Sequence, residues 1–341
     1  MMRIVIGDTG LDVARLGFGG IPIQMVSESK AIETVLHAVE SGVDFIDTSR
    51  AYTTSEQRIG MALRQTNKHV TLASKSHART SEGIRADLAK SLEELQVDHI
   101  DLYQCHYVKN VDDYNQVISR GGALQGLLKS KEEGLISHIG LTSHSLDLLD
   151  QVLDDMLFET IMVCFSFLEP AARERIIPKA LKQKTGVIAM KPFSGGVIEN
   201  TTLALKYALS QEGIVILAGV ERTDHFDENW EIFNGSHELD EDDKKEIEEI
   251  RRHHEKNFCR RCDYCQPCTE EIPIQLILGV RSMVKRMGMD FLKKEVLAQG
   301  IQKARQCSEC GECMTRCPYE LSIPSLIQEN LIWLDEHSKS S

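Results

Sequence analysis

The chain has 341 residues, 27% of them charged, ten cysteines and a formal net charge of −13. That acidic balance excludes a phosphate-gripping nucleic-acid protein, no apolar run is long enough to span a membrane, and the N-terminus lacks a secretory apolar core. The length suits a barrel with an appendage, and the CxxC spacings, read for a reducing cytoplasmic compartment, point to metal or redox work rather than disulfides.

Arg3–Ile6 and Leu11–Val13 flank Gly7-Asp8-Thr9-Gly10 and predict a β-hairpin that plugs the bottom of a barrel. Eight β-type runs follow: Arg15–Gly20, Asp44–Thr48, Val70–Lys75, Ile100–His106, His138–Ser143, Thr160–Phe167, Gly186–Pro192 and Gly213–Gly219. Amphipathic segments such as Lys30–Ser41, Ser81–Leu95 and Leu124–Glu133 separate them. Eight strands alternating with helices predict an α/β fold, a (β/α)8 TIM barrel, with a doubly wound open sheet as the alternative. Gly17-Phe18-Gly19-Gly20 reads as a tight turn rather than a dinucleotide fingerprint, because no capped helix and downstream acid follow it.

Four chemically useful residues fall at or just beyond strand ends: Asp47, Tyr52, Lys75 and His106. Each alone has a structural explanation, as a turn cap, a rim residue, a solvated lysine and a core histidine. Together they converge on the face where barrel active sites form. An ammonium beside a phenol favours the phenolate. Asp47 would orient Lys75, His106 would hydrogen-bond a carbonyl oxygen, and Tyr52 would protonate that oxygen as hydride reaches the carbon. Cys105 and Cys164 sit in strands and read as core residues.

Beyond the last strand, Asp240 caps a charged helix running to about Lys256, ending beside His253 and His254, which read as surface residues. The domain boundary is placed at 256/257, giving a barrel over 1–256, an α-helical unit over 257–337 and a disordered tail over 338–341. Ile274–Arg305 is read as mostly helical.

The helical unit carries Cys259-x-x-Cys262-x-x-Cys265-x-x-Cys268 and Cys307-x-x-Cys310-x-x-Cys313-x-x-x-Cys317-Pro318. The second spacing wraps three thiolates around one cube and sends the fourth to a neighbour. Two runs predict two [4Fe–4S] clusters with crossed ligation: Cys259, Cys262, Cys265 and Cys317 on one, Cys307, Cys310, Cys313 and Cys268 on the other. Structural zinc, which uses two converging CxxC pairs, fits the runs less well. The first run departs from the pattern by its shorter last spacing and by Pro267 preceding the final cysteine. The stretch from Cys268 resembles that from Cys317, an internal repeat in which a Pro-containing turn opens an apolar helix.

Residues 2–235 resemble the aldo-keto reductases. The motifs that carry this are Phe45-Ile46-Asp47-Thr48-Ser49-Arg50-Ala51-Tyr52 continuing to Glu56 and Gly60, Ala73-Ser74-Lys75, Asp101–His106 and Gly134–Gly140. With Met190-Lys191-Pro192 and the cysteine tail, the chain resembles the branch carrying a C-terminal 4Fe–4S dicluster, ferredoxin-like domain. The resemblance implies NADP or NAD as cofactor and Asp47, Tyr52, Lys75 and His106 as the catalytic tetrad. It implies Thr142 and Ser143 at the carboxamide, in place of the family's Ser-Asn, and Lys191 at a phosphate. It also implies Gly219 where the family has a 2′-phosphate lysine, Arg222 as a substitute for that charge, and His225, Glu228 and Asn229 near the adenine. Phe165-Ser166 stands where the family often has Tyr-Asn.

Three functions follow. The first is an NAD(P)H-dependent carbonyl reductase acting on a small molecule. The second is an iron–sulfur electron-transfer protein coupling the clusters to a nicotinamide, a flavin or a protein redox partner. The third is a non-catalytic redox sensor.

Overall fold

The computed structural model describes residues 2–338, so residues 339–341 of the expected tail lie outside the described residues, while Ser338 ends a helix. Ten strands form in chain order: β1 Arg3–Val5, β2 Asp12–Ala14, β3 Leu16–Gly19, β4 Phe45–Asp47, β5 Thr71–Ser76, β6 Ile100–Cys105, β7 Ile136–Thr142, β8 Thr160–Cys164, β9 Gly186–Met190 and β10 Val215–Gly219. Strands β3 to β10 are parallel neighbours and close on each other, β10 pairing with β3 through Gly219 and Gly19. Helices cover the outside, so the strands are buried on both faces and read as apolar runs rather than alternating ones. Ser27, Thr80, Asn110, Ser145 and Asn200 cap five of these helices by accepting first-turn N–H groups.

The hairpin pairs β1 with β2 antiparallel, Ile4 opposite Val13. Ile6 and Val13 join Phe45, Ala73, Leu102, Met162, Ile188, Val215 and Leu217 in one buried cluster, so the hairpin closes the barrel floor as expected. Gly7 makes this approach feasible: its φ is +56°, and a Cβ there would lie 2.3 Å from the Gly186 nitrogen at the start of β9.

The chain divides into two compact units, 1–194 with 198–239, and 195–197 with 240–341. The division therefore falls at 239/240 rather than at 256/257. The helix Glu241–His254, started by a capping box on Asp240, belongs to the second unit and buries Ile247. The expected helix over 274–305 is broken at Gly279 and Gly288 into Ile274–Leu278, Val280–Met287, a 3-10 turn Met289–Lys293 and Glu295–Ala304. Among the described residues, no helix is long and apolar enough to cross a membrane.

Ile6 is 1% exposed and Val5 48% exposed, so the hairpin's alternation gives a direct test of the plug. Ile6→Ala is expected to cost about 2–5 kcal/mol in chemical denaturation, while Val5→Ala changes stability by less than about 0.5 kcal/mol. Equal effects would contradict the floor assignment.

Candidate active site and cysteine cages

Asp47 ends β4 and Lys75 lies near the end of β5, adjacent strands held in register by Asp47 opposite Ala73. The Lys75 ammonium donates to Asp47 Oδ1 at 2.5 Å and to the Thr48 carbonyl at 2.7 Å. Gln104 Nε2 donates to Asp47 Oδ2 at 3.1 Å. Burial raises the carboxyl of Asp47, and Lys75 and Gln104 pull it back; both its oxygens face donors, so the ionised pair fits the geometry. Burial alone would push the Lys75 ammonium down, but Asp47 and Tyr52 hold it above its ordinary value.

Tyr52 stands on the loop after β4, anchored by Tyr52 N–H to Ser49 O at 2.9 Å and Ser55 N–H to Tyr52 O at 2.7 Å. The Lys75 ammonium lies 4.9 Å from the Tyr52 ring centre, and its charge and a hydrogen bond act on the phenol. Behind the loop, Arg50 pairs with the buried Glu56 and, at 2.9 Å, with Glu94, while Ser74 Oγ donates to Glu56 at 2.5 Å.

His106 follows β6 and meets Tyr52 edge-on, ring centres 5.9 Å apart. Burial, then the His77 and Lys75 charges, keep its imidazole well below the usual range, so it is neutral at ordinary pH. His77, exposed beyond the end of β5, stacks on it at 4.1 Å. All four tetrad residues are thus brought together at one end of the barrel.

The other strand ends supply a second group. Thr142 ends β7 and accepts the Tyr107 N–H at 2.7 Å, while the Ser143 hydroxyl donates to the Val108 carbonyl at 2.7 Å. Lys191 follows β9 at φ +61°, with its ammonium 2.8 Å from His144 Nε2. Gly219 ends β10. Arg222 precedes the helix Thr223–Asn234, makes no side-chain cap and pairs with Asp224; His225 faces Glu221 at 3.3 Å, Glu228 is exposed and Asn229 is buried. An uncapped helix start beside an arginine, with Lys191 on the same end of the barrel, is a donor set that fits the phosphates of a dinucleotide.

Sequence reasoning missed Gln104, Ser49 and His77. Gln104 lies in β6 two residues before His106, so strand alternation was a signal for it, whereas Ser49, on the loop after β4, had none. His77, beyond β5, had none.

In the second unit, two small cavities each collect four cysteines. One is lined by Cys268, Cys307, Cys310 and Cys313, the other by Cys259, Cys262, Cys265 and Cys317. The electrostatics sort the sulfurs the same way. Burial and then Cys317 push Cys262 up to about 11, burial and then Cys259 push Cys265 up to about 12, and Cys313 is raised by burial and by Cys307, Cys310 and Cys268. Four mutually repelling thiolates need a cationic core, which is the chemistry an iron–sulfur cube supplies.

The backbone repeats with the sequence. Arg261 and Glu309, at φ +58° and +53°, occupy matching places, as do Asp263 and Gly311 at +68° and +78°, and Glu271 and Glu320 at +52° and +50°. Gly311 sits at φ +78°, the left-handed conformation that glycine adopts without strain. His253 and His254 line neither cage.

A family model described as the aldo/keto reductase family matches residues 15–202, and one described as a 4Fe-4S dicluster domain matches residues 258–322. L-galactose dehydrogenase of Arabidopsis thaliana is 30% identical over 212 residues, 57% of this chain and 66% of that enzyme. Human aldo-keto reductase family 1 member C2 is 26% identical over 287 residues, 70% of this chain and 88% of that protein. The solved holo structure of an aldo-keto reductase from Bacillus halodurans superposes with a TM-score of 0.64 at 22% identity, covering 73% of this chain and 96% of that one.

With His106 neutral, the pH profile of kcat/KM for any turnover is expected to show no step at the ordinary imidazole value near 6.5. A base whose pKa is lowered stays uncharged as pH falls through that value; an inflection there that disappears in His106→Gln would contradict the assignment.

Proposed function

The chain belongs to the aldo/keto reductase family, and from that premise we propose that it is an NAD(P)H-dependent reductase of small carbonyl compounds with Tyr52 as general acid. The observation that carries this is the buried Lys75–Asp47 pair set against Tyr52, with neutral His106 edge-on to the same phenol. A reduced nicotinamide, when bound, would supply the hydride. Lys191, Arg222 and the start of the helix Thr223–Asn234 would hold its phosphates, and Thr142, Ser143, Gly219, His225, Glu228 and Asn229 would line the rest of its site. His106 donates a hydrogen bond to the substrate oxygen. Tyr52 gives that oxygen its phenolic proton, and the Lys75 ammonium, kept charged by Asp47, stabilises the phenolate left behind. The same proton path run backwards oxidises an alcohol, as the names of the dehydrogenase relatives require of them.

The eight clustered cysteines would hold two [4Fe–4S] clusters with crossed ligation, which exchange single electrons when bound. One observation favours a second reading, electron exchange with an outside partner: Cys310 is exposed, and so its cage has one sulfur edge open to solvent.

Tyr52→Phe is expected to lower carbonyl reduction by about 100-fold or more while leaving nicotinamide binding intact. Undiminished turnover would sink the tetrad. Anaerobic iron analysis should find about eight iron atoms per chain, falling to about four in Cys265→Ser. Four or fewer in the unmutated chain would refute the pair of cubes.

A further inference from the structure

Ser49 is 1% exposed. Its hydroxyl oxygen lies 3.0 Å from His106 Nδ1 and 3.1 Å from the Lys75 carbonyl oxygen, and it accepts the Ala51 N–H at 3.1 Å. A hydroxyl has one proton to give. If the proton goes to the Lys75 carbonyl, Nδ1 must carry the imidazole proton, and Nε2 is left as a bare lone pair. If it goes to Nδ1, the imidazole proton sits on Nε2. The Lys75 carbonyl does not depend on Ser49, because the Arg50 N–H donates to it at 3.1 Å. The Ala51 N–H is served in both arrangements.

The ring itself has little other freedom. His77 stacks on it at 4.1 Å, and Arg79 donates to the His106 carbonyl oxygen at 3.0 Å. A carbonyl oxygen offers only lone pairs, so a neutral imidazole can hold it only through an N–H. Nδ1 is already engaged with Ser49, which leaves Nε2 as the nitrogen for substrate.

We propose that Ser49 is a positioning residue: its hydroxyl donates to His106 Nδ1 and so keeps the imidazole proton on Nε2, ready for a substrate oxygen. The choice of tautomer and its catalytic consequence both rest on the carbonyl-reductase reading, because the hydrogen bonds of Ser49 are satisfied in either arrangement; the tautomer itself is read without turnover. Ser49 would act as the orienting partner of a working imidazole does elsewhere, selecting which nitrogen donates.

The test is nitrogen NMR of the intact, cluster-loaded chain with 15N-labelled histidine, the His106 signals identified by their loss in His106→Gln. The expected result is an unprotonated, acceptor Nδ1 and a protonated Nε2. In Ser49→Ala the Nδ1–H form should appear, kcat should fall about tenfold or more with a smaller change in KM, and Ser49→Thr, which keeps the hydroxyl, should restore the tautomer. A protonated Nδ1 in the unmutated chain, or an unchanged tautomer in Ser49→Ala, overturns the proposal. Should Ser49→Ala fail to fold, the unmutated chain's spectrum still decides. A protein with the expected tautomer but no turnover of any carbonyl would sustain the Ser49 assignment and defeat the reductase reading.

Discussion

A lysine and an aspartate, both almost wholly shielded from water, face each other across the ends of β4 and β5. Neither charge is tolerable there alone; removing one partner of a buried pair typically costs about 3–5 kcal/mol, because the other is stranded. Their geometry is fixed by things that do not move: the register of two barrel strands, the Thr48 carbonyl and Gln104. The cost of holding an ammonium in this place is met by the fold, and the result is a permanent positive charge against the Tyr52 phenol. The arginine network behind the loop, through Arg50, Glu56 and Ser74, keeps the phenol at that charge.

The same logic of desolvation acts on the His106 imidazole. His106 is half-buried, and desolvation together with the charges of Lys75, Arg79 and Lys191 lowers its imidazole, so a further cation is not formed there. A histidine kept neutral is a hydrogen-bond donor or acceptor depending on its tautomer alone, which is why a single neighbouring hydroxyl can matter.

Much of this was legible in the sequence. The eight strands and the floor hairpin could be read because buried parallel strands are apolar runs and because Gly7 and Gly10 mark the turn between Ile6 and Leu11. Asp47, Lys75 and His106 were legible from their places at strand ends. Less could be read where an effect depends on tertiary proximity. His77 carries no local signal of its stacking on His106, and the helix Glu241–His254 reads as a solvated charged face until Ile247 is seen buried. In the cysteine unit the first run looked irregular beside the second. The matching left-handed residues, Arg261 with Glu309 and Asp263 with Gly311, set the two runs on one backbone course up to the third cysteine. The extra residue between Cys313 and Cys317 shifts the alignment by one, and Glu271 and Glu320 resume it.

On the proposed reductase reading, Tyr52 gives its proton to the carbonyl oxygen and the clusters lie off that path. The most direct measurement is the anaerobic visible spectrum of the cluster-loaded protein, recorded with NADPH or NADH and then after adding a panel of aldehydes. A reductase of this kind keeps its broad iron–sulfur absorbance constant, and its nicotinamide signal falls only when a carbonyl is present. Bleaching of the cluster absorbance by reduced nicotinamide alone would contradict that reading and make the protein an electron carrier first.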